Sequence, residues 1–131
     1  MAKAILKNIW VDSATINLDT YLPDDIECFE LWVNLRVGVD SAEGADDYQL
    51  LICTPQWLQK NYAWKKALWG RNMLIVFEYD LEMIKSKIDR CLASFGDESV
   101  ETLSREFAKF ASWEFENYQH HPETKAVYSD D

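Results

Sequence analysis

Glu78, Asp80 and Glu82 place three carboxylates within five residues, the densest set of acid–base groups that also follows a strongly apolar run. Paired carboxylates can hydrolyse a glycosidic bond or hold Mg²⁺. Asp80, however, stands just before a stripe of helical period, where its side chain would cap free N–H groups. Glu82 would then be a first-turn charge that suits the helix dipole. Cys28, Cys53 and Cys91 are an odd set at long spacings, each among apolar residues. A catalytic thiol needs a base, and the only imidazoles are His120 and His121, adjacent near the C-terminus. There is no CxxC, HExxH, EF-hand loop, phosphate loop, GxGxxG or GxSxG. The pattern predicts no metal, no cofactor and no catalytic centre, and buried thiols in a reducing compartment.

Two further groupings suggest binding. Trp57 to Arg71 interleaves aromatics with lysines, a mixture that can stack on single-stranded nucleic acid or anchor a protein interface. Trp64 and Trp69 flank Lys65 and Lys66 and are expected to be partly exposed. The chain carries 13 basic and 23 acidic residues, a formal charge of −10. That disfavours nucleic-acid phosphates and anionic membranes as partners. The acidity is concentrated: Asp12 to Asp47 holds ten acids and only Arg36 as a base, whereas Pro55 to Arg71 holds four bases and no acid. Asp24, Asp25 and Glu27 fall in one expected loop, and Asp40, Glu43, Asp46 and Asp47 in a second. Together they would make an acidic rim for a basic partner, unless they serve only as turn formers.

The elements that position these residues can be read from periodicity. Lys3 to Val11 is rich in Ile, Leu, Trp and Val and reads as a strand. Phe29 to Val39 alternates strictly, with Phe29, Leu31, Val33, Leu35, Val37 and Val39 on one face and Trp32 as the exception on the other. Tyr48 to Thr54 follows after a short loop, which suits an antiparallel hairpin. Thr54-Pro55 is a helix start. Met73 to Tyr79 is almost continuously apolar and is expected to be a central strand buried on both faces. Leu81, Ile84, Ile88, Cys91, Leu92 and Phe95 form a helical stripe, and a last helix is expected from Glu98 to Tyr118. Within it Glu114 falls among Leu103, Phe107, Phe110 and Tyr118, so it needs a partner, for which Arg71 is the candidate. The order β-β-β-α-β-α-α predicts an α+β fold: a small, largely antiparallel four-stranded sheet with helices packed on one face. Residues 1–119 are expected to form one domain, with 120–131 a mobile tail. Met1 to Val11 has no signal-type apolar run, and no stretch approaches a membrane span, so a cytoplasmic location is expected.

Three segments carry a resemblance. Thr54-Pro55-Gln56-Trp57-Leu58 closes a strand and opens a helix. Trp69-Gly70-Arg71-Asn72-Met73-Leu74-Ile75-Val76-Phe77-Glu78-Tyr79-Asp80 follows, and Trp113-Glu114-Phe115-Glu116-Asn117-Tyr118 comes near the end. With the Ile5 to Trp10 strand and the Tyr21-Leu22-Pro23 turn, the chain resembles the eighth immunity-protein family of bacterial polymorphic toxin systems, over about residues 3 to 119. The resemblance implies a non-enzymatic protein that binds and neutralises the C-terminal domain of a cognate toxin delivered by contact-dependent or specialised secretion. Many such toxins are nucleases with basic surfaces, which the charge of −10 would suit. The residues expected to meet it are Asp24, Asp25, Glu27, Trp32, Asp40, Glu43, Asp46, Asp47, Trp64 and Trp69. Two alternatives stand beside this one: a small enzyme using Glu78, Asp80 and Glu114, and a single-stranded nucleic-acid binder using residues 57–71.

Overall fold

A computed structural model describes residues 3–40, 44–95 and 100–113. The chain runs β1 (Ala4–Trp10), β2 (Glu30–Val39), β3 (Ala45–Cys53), α1 (Pro55–Tyr62), a 3₁₀ turn (Ala63–Lys65), β4 (Met73–Ile75), α2 (Leu81–Ala93), α3 (Val100–Phe107) and β5 (Ser112–Trp113). The α+β class and the order of strands and helices are those the sequence predicts. The four main strands lie in the order β1-β2-β3-β4, antiparallel except that β4 runs parallel to β3.

Alternation in β2 sets the core. Phe29, Leu31, Val33, Leu35, Val37 and Val39 are all buried. The hairpin register places Leu31 opposite Ile52, Val33 opposite Leu50 and Leu35 opposite Tyr48, so both strands present one apolar face. β1 adds Leu6 and Ile9 to it, with a register shift between Leu6 and Asn8. Ile84, Ile88 and Leu92 of α2 and Leu103 and Phe107 of α3 close this core. Phe107 meets Tyr48 edge-to-face at 4.8 Å. Gly38 is required by a close approach: a Cβ there would stand 2.5 Å from the Gly44 carbonyl oxygen.

Both predicted caps are present. The Thr54 hydroxyl accepts from Trp57 N–H (3.3 Å) and also from Phe29 N–H (3.2 Å), so one buried side chain starts α1 and fixes the entry to β2. Asp80 accepts from Met83 N–H at 3.1 Å and caps α2.

Two elements differ from expectation. The run Met73 to Tyr79 is not a central strand buried on both faces. Only Met73–Ile75 pairs, along one edge of β3, and Ile75 and Phe77 are 46% and 79% exposed. Its apolar residues divide between the core, where Val76 sits, and the surface. The last helix ends at Phe107 rather than Tyr118. Residues 108–110 turn, with Ala111 N–H donating to the Phe107 carbonyl, and β5 then pairs antiparallel with Tyr48 and Gln49. The cause is the shortness of β4. It covers β3 only at Leu51 to Cys53, and the strand's earlier backbone groups need partners of their own.

Thr54→Val should lower stability by about 1–3 kcal/mol, because the buried Phe29 N–H and the partly buried Trp57 N–H lose their acceptor. Thr54→Ser should recover most of the loss. Urea unfolding of the three proteins measures it, and an unchanged midpoint for the valine variant would contradict the bridging role.

Candidate functional site

Of the groups that could do chemistry, some have a structural use and Glu78 stands exposed. Asp80 is the α2 cap, and Glu82 lies a turn from Lys85 at 3.8 Å on the exposed face. Among the described residues, no group of three or more His, Cys, Asp or Glu is placed to hold a metal ion. Burial, helped by the charge of Glu30, pushes the Cys53 thiol up to about 11, away from the thiolate a nucleophile needs. Burial raises the Cys91 thiol as well. His120, His121 and Glu114 lie outside the described residues, so the Arg71–Glu114 pairing does too. Arg71 itself sits in the turn that leads to β4, its N–H donating to the Trp69 carbonyl at 3.0 Å.

The acids expected to form one rim are distributed over the sheet. Asp24, Asp25 and Glu27 are exposed in the connection that enters β2, where the Asp25 carboxylate accepts from Glu27 N–H at 2.9 Å. Asp40 follows the other end of β2 and accepts from Lys3 N–H at 2.9 Å. A ten-residue strand separates the two groups, about 30 Å at the usual rise per residue. Glu43 lies outside the described residues.

Asp46 and Asp47 are not loop residues but the start of β3. Asp46 stands opposite Val37 on the helix side and accepts a 2.5 Å hydrogen bond from the Ser104 hydroxyl, which ties α3 to the sheet. Asp47, opposite Arg36 on the other face, takes two bonds from its guanidinium, at 2.8 and 3.0 Å. That guanidinium also lies 5.1 Å from the centre of the Trp10 ring.

The three candidate tryptophans are exposed, Trp32 by 50%, Trp64 by 63% and Trp69 by 79%. Trp32 is on the same face of β2 as Arg36, while Trp64 and Trp69 lie in the connection between α1 and β4. Trp64 is held in place: its indole N–H donates to the Asn61 carbonyl at 3.0 Å, and Lys65 Nζ is 5.5 Å from the ring centre. Among the described residues six other large apolar side chains are exposed, Ile5, Leu22, Ile26, Ile75, Phe77 and Phe110, none of them singled out as exposed by sequence reasoning. The signal was Ile75-Val76-Phe77 itself, which also fits a strand with one dry face and one wet one.

Asp46→Lys should cost about 1–3 kcal/mol of stability by breaking the bond to Ser104 and placing an ammonium against the core side. Thermal unfolding reads this out. The alkaline limb is a second test. The Cys53 thiol titrates near 9 in an unfolded chain and about 11 when folded. Between these values the unfolded chain has released a proton that the folded chain keeps, so stability falls as pH rises, by at most about 1.4 kcal/mol per pH unit for this group. The raised Cys91, Tyr21 and Tyr79 act in the same direction. Cys53→Ala should therefore flatten part of the decline in urea midpoint between pH 9 and 11.

No curated protein and no solved structure matches the chain. The sequence profile described as immunity protein 8 matches residues 4–118, which takes in the whole sheet and all three helices. That span includes the Thr54 bridge, the Asp80 cap and every exposed aromatic described above, and it shows that this chain belongs to the immunity protein 8 family.

Proposed function

We propose that the chain is a cytoplasmic immunity protein that binds the C-terminal domain of a cognate toxin one-to-one and holds it inactive. The observation that carries this reading is the family match over residues 4–118. The structure supports it in two ways. Asp80 is engaged in a helix cap and the Cys53 and Cys91 thiols are raised in pKa, while large apolar side chains are left exposed. Exposed aromatics of this size are typical anchors of protein interfaces. Among the described residues no helix is long and apolar enough to cross a membrane.

The toxin has a basic working surface, as a nuclease does, and the formal charge of −10 draws it in. Toxins of this kind reach neighbouring cells by contact-dependent or specialised secretion. Inhibition then needs only stable occupancy, through an interface of roughly 1,200–2,000 Å² in total.

Calorimetric titration of this protein into the C-terminal domain of the large secreted protein encoded beside its gene should give a tight one-to-one complex. Co-expression should protect cells that make that domain. Absence of heat, of co-elution and of protection would overturn the reading.

A further inference from the structure

Four of the six exposed apolar side chains that sequence reasoning missed, Leu22, Ile26, Ile75 and Phe77, belong to the segments at one end of the sheet, while Ile5 lies opposite Gly38 at the other end and Phe110 beside Phe95 and Phe107. Tyr79 N–H donates to the Ile26 carbonyl at 2.8 Å and so ties the segment after β4 to the connection before β2. Tyr21 and Phe29 meet the Tyr79 ring edge-to-face, with centroids at 5.6 and 5.3 Å. This aromatic clamp fixes both segments, and it brings Leu22, Ile26 and Phe77 to the end where β2 begins and β4 finishes. They are 68%, 39% and 79% exposed. Folding does not account for Phe77: its side chain contributes almost nothing to the core, and leaving it in water forgoes the gain of burial.

The charge around them has one sign. Residues 21–30 and 75–82 hold seven acids and no lysine or arginine. Apolar centres ringed by charge are the arrangement in which a few side chains dominate binding, since the rim keeps water from the centre. The exposed tryptophans of the α1–β4 connection have the opposite setting, beside Lys60, Lys65 and Lys66.

We propose that this acidic end of the sheet, centred on Phe77, Ile26 and Leu22, is the surface that docks the toxin, and that it takes a basic surface with an apolar recess. The assignment rests on the reading of the chain as a toxin-binding protein. Charge complementarity selects the partner: with Asp80 capping α2 and Glu82 beside Lys85, a surface rich in Lys and Arg would still meet the exposed carboxylates of Asp24, Asp25, Glu27 and Glu78. The acids at the far end of β2 then act at long range only.

The test uses the full chain and the recombinant toxin domain encoded beside its gene. Phe77→Ala should weaken the dissociation constant tenfold or more, about the scale of an anchor residue. Asp24→Lys with Asp25→Lys should slow association by about tenfold at low salt, with the difference shrinking as salt rises. Phe77→Ala changes an exposed side chain and should melt with the wild type, whereas Asp25→Lys also gives up the turn bond from Glu27 N–H, so Asp24→Lys alone, which should slow association in the same direction, serves as its control. Trp64→Ala with Trp69→Ala should change affinity by less than about twofold, as side chains outside an interface do. If the wild type binds and the end variants bind equally well, the assignment is overturned while the neutralising function stands. Loss of binding only in the tryptophan pair would move the surface to the α1–β4 connection and also overturn it. If the wild type itself does not bind, both fall together.

Discussion

The backbone of β3 has two edges, and most of the architecture follows from how they are paired. β2 satisfies one edge along its full length. The other is divided between β4, which covers Leu51 to Cys53, and β5, which takes Tyr48 and Gln49. A buried strand cannot leave its N–H and C=O groups in apolar surroundings without a partner. α1 exists to carry the chain back so that β4 can run parallel, and α3 must stop early so that the chain can return as β5. The Thr54 hydroxyl sits where β3 gives way to α1 and bonds to the start of β2, so the same point joins three elements.

Much of this was legible because local signals and tertiary packing agreed. β2 alternates with Trp32 as its exception, and its odd-numbered apolar residues, Leu31 to Val39, are all buried. Thr54-Pro55 and Asp80 cap helices by chemistry that needs no knowledge of the fold. The failures came where partners distant in sequence decide the outcome. Residues 108–113 have helical periodicity, but an open strand edge some sixty residues earlier draws them out of the helix. The apolar run of β4 has the composition of a buried strand, yet composition does not say that only three of its residues find a partner.

The charged residues teach the same lesson about sites. An excess of Asp and Glu between residues 12 and 47 is plain in the sequence, and it suggested one continuous rim. Strand geometry instead sends part of it to each end of β2. It also assigns Asp46 to Ser104 and Asp47 to Arg36, uses that only register reveals. Counting charges estimates the field felt from afar. It says little about which carboxylates remain for a partner at contact. The aromatic clamp of Tyr21, Phe29 and Tyr79 was equally hidden, since its members come from two separate segments.

The late arrival of β5 has a consequence for biosynthesis. β3 leaves the ribosome well before the residues that close its second edge, with 65 positions between Tyr48 and its partner Trp113. At ordinary elongation rates that gap lasts on the order of several seconds. Throughout it the nascent hairpin carries a strand edge that another extended chain could occupy. Crowded polysomes making this protein thus face a timing problem that the finished fold does not show, and any slowing of translation between α2 and β5 would lengthen the exposure.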